Sequence, residues 1–163
     1  MKISYYLKDK DLEKLKFKSL GKNCKVSSLA SFVGTKNISL SDGVRIDDFA
    51  SLVAFKGSIK IGKNTHVGGQ TYIQGWKGVE IGSNCKISQG VKIYSKSDNY
   101  LSTNNKQIEK EVKIYKNVII GSSSVILPGT VIEASSRIGA LTIVSKKIRT
   151  NRLFSKDRTI EIN

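Results

Sequence analysis

The chain has 163 residues, 39% of them hydrophobic, with 14 Gly and a single Pro; this is enough for one domain with a real core, and it excludes a disordered or collagen-like polymer. No run of 18 apolar residues occurs, which excludes a membrane-spanning helix. One histidine and two cysteines exclude a disulfide framework and any site built on several imidazoles.

The net charge of +15 attracts anions, from phosphorylated small molecules to nucleic acid. The lysines are spread along the chain rather than gathered in one block, so no nucleic-acid partner is read from them.

Residues 1–19 open with MKISYYLKDKDLEKLKFK, charged throughout and without the apolar stretch of a signal peptide, so a cytoplasmic location is expected. Leu7, Leu12 and Leu15 give this segment an amphipathic pattern. It is expected to cap the open end of the β-structure C-terminal to it, where unpaired backbone would otherwise lie exposed.

From residue 20 to about residue 148 the chain repeats. Between Ile114 and Val144 an aliphatic residue returns every sixth position: Ile114, Ile120, Ile126, Ile132, Ile138 and Val144. Four residues after each comes a residue that is nearly always small: Val118, Ser124, Thr130, Ser136 and Thr142. The same phase appears earlier in pieces, in Leu20 and Val26, Ile46 and Leu52, Ile61 to Ile73, and Ile81 to Ile93.

Neither a helical period nor strict alternation explains a sustained six. Three hexads make a triangular coil of about 18 residues, whose aliphatic side chains point inward and stack at the strand spacing of about 4.8 Å. The predicted fold is therefore all-β, a left-handed parallel β-helix of hexapeptide repeats. Cys24 and Cys85 fall on inward small positions and read as core residues. Asn23, Asn64, Asn84 and Asn117 precede the small residue, where the chain must turn.

Two interruptions break the phase. Around Trp76-Lys77-Gly78 it shifts by two residues. From residue 94 to 112 the polar stretch YSKSDNYLSTNNKQIEKEV is too long for a turn and is expected to be extruded and functional. After Val144 the repeat fades, and residues 149–163 are expected to form a basic, irregular tail.

His66 stands directly before the inward Val67 and so faces outward. It is the natural general base, since imidazole alone among side chains titrates near neutrality when unperturbed. Tyr94, Tyr100 and Trp76 offer aromatic faces for a sugar or a nucleobase.

These segments together resemble the hexapeptide-repeat sugar acetyltransferases of bacterial surface-polysaccharide clusters, from about Tyr5 to Ile148. The resemblance is carried by FKSLGKNCKVSSLASFVGTKNISLSDGVRIDDFASL, NTHVGGQTYIQGWKGVEIG, ISQGVKIYSKSDNY and VIIGSSSVILPGTVIEASSRIGALTIVSK. It implies acetyl-CoA as donor, a sugar or nucleotide-linked sugar as acceptor, a role in lipopolysaccharide biosynthesis, a homotrimer, active sites between neighbouring prisms, and no metal. It also implies that His66 matches the family's histidine in that coil.

Asp98 stands where related O-acetyltransferases carry a catalytic histidine, and is expected to orient His66 across a subunit boundary or to bind the acceptor. Ser97, Asn99 and Tyr100 complete a Ser-Asp-Asn-Tyr variant of the family's Ser-Asp-Asp-Tyr motif. Ser122, Ala140, Ser145 and Lys146 match positions that hold coenzyme A, and Arg152 joins Lys146, Lys147 and Arg149 in a cationic set suited to phosphate.

The usual Gly-x-Pro-Ala stretch after the last coil is missing. The competing reading is a non-catalytic β-helix that serves as a scaffold or binds an anionic ligand.

Overall fold

A computed structural model describes residues 4–99, 104, 106–156 and 158–161. Short strands recur at each hexad and stack in register, giving three parallel sheets that wall a prism. The first face runs Ser19–Leu20, Ile38–Leu40, Ile59–Ile61, Val79–Ile81, Val112–Ile114, Val131–Ile132 and Lys147–Ile148. The second carries Lys25–Val26, Arg45–Ile46, His66–Val67, Lys86–Ile87, Ile119–Ile120, Arg137–Ile138 and Arg152–Ser155. The third carries Ser31–Val33, Ser51–Val53, Tyr72–Gln74, Lys92–Tyr94, Val125–Ile126 and Ile143–Val144.

The aliphatic of each hexad points inward. Ile61, Ile81, Ile114 and Ile132 stack in one column, and Val67, Ile87, Ile120 and Ile138 in the next, all buried. Each such side chain stabilises the fold by roughly 1.5–3 kcal/mol of apolar burial.

The inward small positions are buried as well, and their hydroxyls are not wasted. Thr65 donates to the carbonyl of Gly82 at 2.7 Å, Ser124 to Gly139 at 2.8 Å, and Ser136 to Arg149 at 2.7 Å. Each bond satisfies a corner carbonyl of the next coil that would otherwise be orphaned. Cys85 does the same with its thiol, 3.1 Å from the Tyr115 carbonyl, which accounts for it as a core residue.

Asn23, Asn64, Asn84 and Asn117 all adopt φ between +55° and +59°, the left-handed turn their side chains tolerate. Gly121 and Gly139 are needed for a different reason. A Cβ on Gly121 would strike the Ala140 backbone of the following coil, and one on Gly139 would strike Ser155.

The uniform 18-residue coil holds from Ile114 to Val144, in the pairs Ile114–Ile132, Ile120–Ile138 and Ile126–Val144. Earlier coils are longer, as the pairs Leu20–Leu40, Leu40–Ile61 and Ile61–Ile81 show. The extra residues all sit at one corner, where the third face turns into the first: residues 34–37, 54–58, 75–78 and 95–111.

The last of these insertions is the extruded segment. Rather than an open loop it is an antiparallel hairpin, Lys96–Asp98 paired with Gln107–Glu109. Ser95 anchors its base: its buried hydroxyl donates to the Gln74 carbonyl at 2.8 Å and accepts from the Lys77 N–H at 3.0 Å.

Both ends are closed. Helix α1, Asp9–Lys14, lays Leu12 into the core with Leu7 and Leu15 packed beside it, as the amphipathic pattern predicts. The expectation of an irregular tail is corrected. Lys147–Ile148 and Arg152–Ser155 continue two of the sheets, and Arg158–Glu161 folds back antiparallel on the last strand. The hexad phase is lost there because Ile148 follows Val144 after four residues, but Ile148 and Phe154 still fill the inward positions.

Candidate active site

His66 occupies the outward position of its strand. Register places Arg45 one coil before it and Lys86 one coil after it. Its Nε2 lies 2.7 Å from Asp47 Oδ2, and Arg45 Nε donates to Asp47 Oδ1 at 2.7 Å. Burial pushes the Asp47 carboxyl upward, but the hydrogen bonds from His66 and Arg45 outweigh this and hold it below the ordinary carboxylate value. The His66 side chain is 39% exposed, and among the described residues its Nδ1 has no hydrogen-bond partner.

This histidine–aspartate pair adjoins a polar pocket of about 630 Å³ along the corner between the second and third faces. Arg45, Asp47, Asp48 and Gln70 line it, and Ser4, Tyr5 and Tyr6 close it. Tyr6 also pairs with Ser27 and donates its hydroxyl to Asp47 Oδ1.

Further along the same corner stand Ser122 and Ala140, in adjacent coils about 4.8 Å apart. Among the described residues, neither of their backbone N–H groups has a partner, which leaves two donors in line for a ligand.

Tyr94, Ser97, Asp98 and Asn99 also come together, but elsewhere. With Gln74, Ile108, Val125 and Leu127 they line a pocket of about 560 Å³ beneath the hairpin, on the third face. Gln107 donates to Asp98 Oδ1 at 3.2 Å. Burial and the neighbouring Tyr72 ring push the Tyr94 phenol up. Tyr100 lies outside the described residues.

Trp76 is not part of this pocket. It sits at the inserted corner, stacked on Phe55, with Lys96 Nζ 3.9 Å above its ring centre and Nε1 donating to Glu109 at 2.9 Å. It therefore props the hairpin that carries Asp98.

His66 and Asp98 do not meet within one chain. His66 is on the second face, and the hairpin leaves the prism at the opposite corner. The residue that orients His66 is Asp47, which sequence reasoning does not single out. Its signal is present nonetheless, since it follows the inward Ile46 one coil before His66.

Ser145 and Lys146 lie at the corner that bears the hairpin in an earlier coil, and Lys146 caps the Phe154 ring at 4.5 Å. Lys147 pairs with Glu133 at 2.7 Å and Arg152 with Glu161 at 2.6 Å, so the cationic residues wrap the last coil rather than converge. Among the described residues no group of His, Cys, Asp or Glu side chains could hold a metal ion, and no helix is long and apolar enough to cross a membrane.

The hexapeptide repeat of succinyl-transferase matches residues 58–95 and 111–146. The chain is 38% identical over 153 residues to the dTDP-4-amino-4,6-dideoxy-D-glucose acyltransferase of Escherichia coli, covering 86% of this chain and 79% of that one. It is similar in structure to AntD, an N-acyltransferase from Bacillus cereus. The AntD complex with dTDP and 3-hydroxybutyryl-CoA has a TM-score of 0.89 at 28% identity, covering 96% of this chain and 89% of that one. A serine variant of AntD, in complex with dTDP-4-amino-4,6-dideoxyglucose and coenzyme A, has a TM-score of 0.91 at 27% identity over 98% and 91% of the two chains.

Proposed function

Because this chain belongs to the hexapeptide-repeat sugar acyltransferases, we propose that it moves an acyl group, acetyl by the family resemblance, from a coenzyme A thioester to the amine of a dTDP-linked 4-amino-4,6-dideoxy sugar. The Escherichia coli relative is named for that acceptor, and AntD was crystallised with it. The observation that carries the reading is the pocket beneath the hairpin, which gathers Tyr94, Ser97, Asp98 and Asn99 from one short stretch of sequence.

AntD has been crystallised with a serine and an aspartate, ten positions apart in that order, each replaced. Ser88 and Asp98 keep the same order and spacing. Ser88 faces the corner after Ile87, one coil on from Gly68, and no sequence motif singles it out.

In the proposed arrangement, homotrimer formation lays the hairpin of one prism against the corner between the second and third faces of its neighbour. That brings Asp98 towards Ser88 and the His66–Asp47 pair. The pantetheine arm lies along Ser122 and Ala140, whose free N–H groups face it, with Ser145, Lys146 and Arg152 towards the nucleotide end.

The amine nitrogen attacks the thioester carbonyl, so an N–C bond forms and the C–S bond breaks. His66, held by Asp47, takes the proton released by the nitrogen and returns it to the departing thiolate. No covalent enzyme intermediate is needed because the thioester is already activated. Products of this kind serve surface-polysaccharide assembly, and a cytoplasmic enzyme would meet both substrates. The non-catalytic alternative draws on the missing Gly-x-Pro-Ala stretch and on the aspartate in the histidine's place; that aspartate lines a pocket with Tyr94, Ser97 and Asn99, and the Escherichia coli relative, 38% identical, is an acyltransferase, which favours the enzyme.

The test is acceptor-dependent thiol release from acetyl-CoA and 3-hydroxybutyryl-CoA, with dTDP-linked amino sugars as acceptors. Release with the 4-amino sugar supports the reading. Release that ignores every amino sugar overturns it.

A further inference from the structure

Beside the histidine–aspartate pair stands a cation that the proposed reaction does not use. Arg45 occupies the same outward row of the second face as His66, one coil before it. Its Nε donates to Asp47 Oδ1 at 2.7 Å, while Asp47 Oδ2 lies 2.7 Å from His66 Nε2. One carboxylate thus bridges a guanidinium and an imidazole, one oxygen to each. The N-terminal segment closes the bridge from outside. The Tyr6 hydroxyl donates to the same Oδ1, and the guanidinium lies 5.8 Å from the centre of the Tyr6 ring.

Two requirements meet at this carboxylate. An ionised carboxylate only accepts, so in the neutral ring Nε2 carries the proton and Nδ1 keeps its lone pair for the substrate. An unbalanced carboxylate so close would also stabilise the imidazolium and hold a proton on the base. Arg45 separates the two effects. Its hydrogen bond fixes Oδ1, so that Oδ2 stays turned to the ring, and its charge offsets that of Asp47.

The other groups that face His66 do not do this. Lys86, one coil on, pairs with His66 in register, but among the described residues it makes no ion pair with Asp47. Lys25 lies one strand further off, beyond Arg45. Asp48 turns its Oδ1 to the hydroxyls of Ser27 and Ser4, and the Ser88 hydroxyl carries no charge. In the proposed trimer Asp98 of the neighbouring chain approaches from the side of the substrate.

We infer that Arg45 is a positioning residue for the general base: by binding Asp47 it lets that carboxylate orient the His66 ring, with Nδ1 open, without drawing a proton onto it. This rests on the role given to His66 in the acyltransferase reading above.

His66 is the only histidine of the chain, so its ring signals in the untagged protein need no assignment. The experiment titrates that imidazole by NMR in the unmodified protein, Arg45→Gln, Arg45→Lys and Asp47→Asn. Beside it, the pH profile of kcat/KM is measured by thiol release from acetyl-CoA with dTDP-4-amino-4,6-dideoxyglucose. The amine of the acceptor titrates alike throughout, so differences between the proteins belong to the enzyme.

In Arg45→Gln the imidazole midpoint and the acid limb of the rate profile are expected to rise together, by roughly half to one pH unit. The shift is modest because solvent screens these partly exposed groups. Its sign follows from the base having to be unprotonated. In Asp47→Asn both are expected to fall, and Arg45→Lys, which restores the charge, is expected to return both close to the unmodified protein. An imidazole midpoint that stays or falls in Arg45→Gln would overturn the inference. A midpoint that rises while the acid limb stays would remove Arg45 from the reaction and leave the acyltransferase reading standing. An unmodified protein that transfers to no acceptor would overturn that reading and this role with it, whatever the imidazole does.

Discussion

His66 Nε2 lies 2.7 Å from the carboxylate of Asp47, a residue of the preceding coil. The bond fixes one ring nitrogen and leaves the other for substrate, as a general base requires. Replacing His66 with Gln is expected to lower kcat by roughly 10²–10⁴ with little change in melting temperature. A rate kept within a few-fold, measured by thiol release, would remove His66 from the chemistry.

His66 and Asp98 sit on opposite sides of the same prism, so a site that uses both must be built from two chains. Separately inactive His66→Gln and Asp98→Ala proteins, unfolded together and refolded as mixed assemblies, are expected to regain activity. Mixed assemblies contain some sites in which both residues are intact. Activity that stays at the level of the single variants would place the whole site within one chain.

Asp47 also ties stability to pH. Its carboxyl is held below the ordinary value of about 3.9 because the bonds from His66 and Arg45 outweigh the upward push of burial. The unfolded chain therefore binds the proton more readily than the folded one. The stabilisation is complete above the unfolded value and is lost as pH falls through the folded one. Calorimetric scans from about pH 6 to 2 are expected to show a shallower acid loss in Asp47→Asn. Parallel curves for the two proteins would argue against the pair.

Trp76 holds the hairpin from below through Phe55, Lys96 and Glu109. Because Trp76 is half-buried, Trp76→Ala is expected to cost about 1–3 kcal/mol in denaturant unfolding. It is also expected to raise KM for the acceptor, since Asp98, Asn99 and Ser97 ride on that hairpin. A destabilised variant with unchanged acceptor KM would make Trp76 purely structural.

Cys85 is buried, and burial pushes its thiol up. Cys24 is raised for the same reason, though it is only partly covered. At neutral pH the native protein is expected to resist iodoacetamide at Cys85 and to react there once denatured. Rapid native labelling would show that the prism opens at that coil.

The six-residue period, the capping leucines and the turn-forming asparagines were legible because each is a local consequence of the coil. An inward position must be aliphatic or small, and a corner must turn, whatever the rest of the chain does. Ser97, Asp98, Asn99 and Tyr94 could likewise be grouped, being neighbours in sequence.

Asp47 and Arg45 could not be found that way. Asp47 lies 19 residues from His66, and Arg45 stands one coil before that histidine. What joins such residues is strand register, which depends on how many residues each corner has absorbed. Sequence alone thus determined that this chain winds into a hexapeptide prism with an outward histidine and one long extrusion. Tertiary structure alone decided that the extrusion is a hairpin, that it leaves from the corner opposite His66, and that Asp47 is the partner of that histidine. The reason is that a repeating period sets where each side chain points, while the lengths of the corners set what it points at.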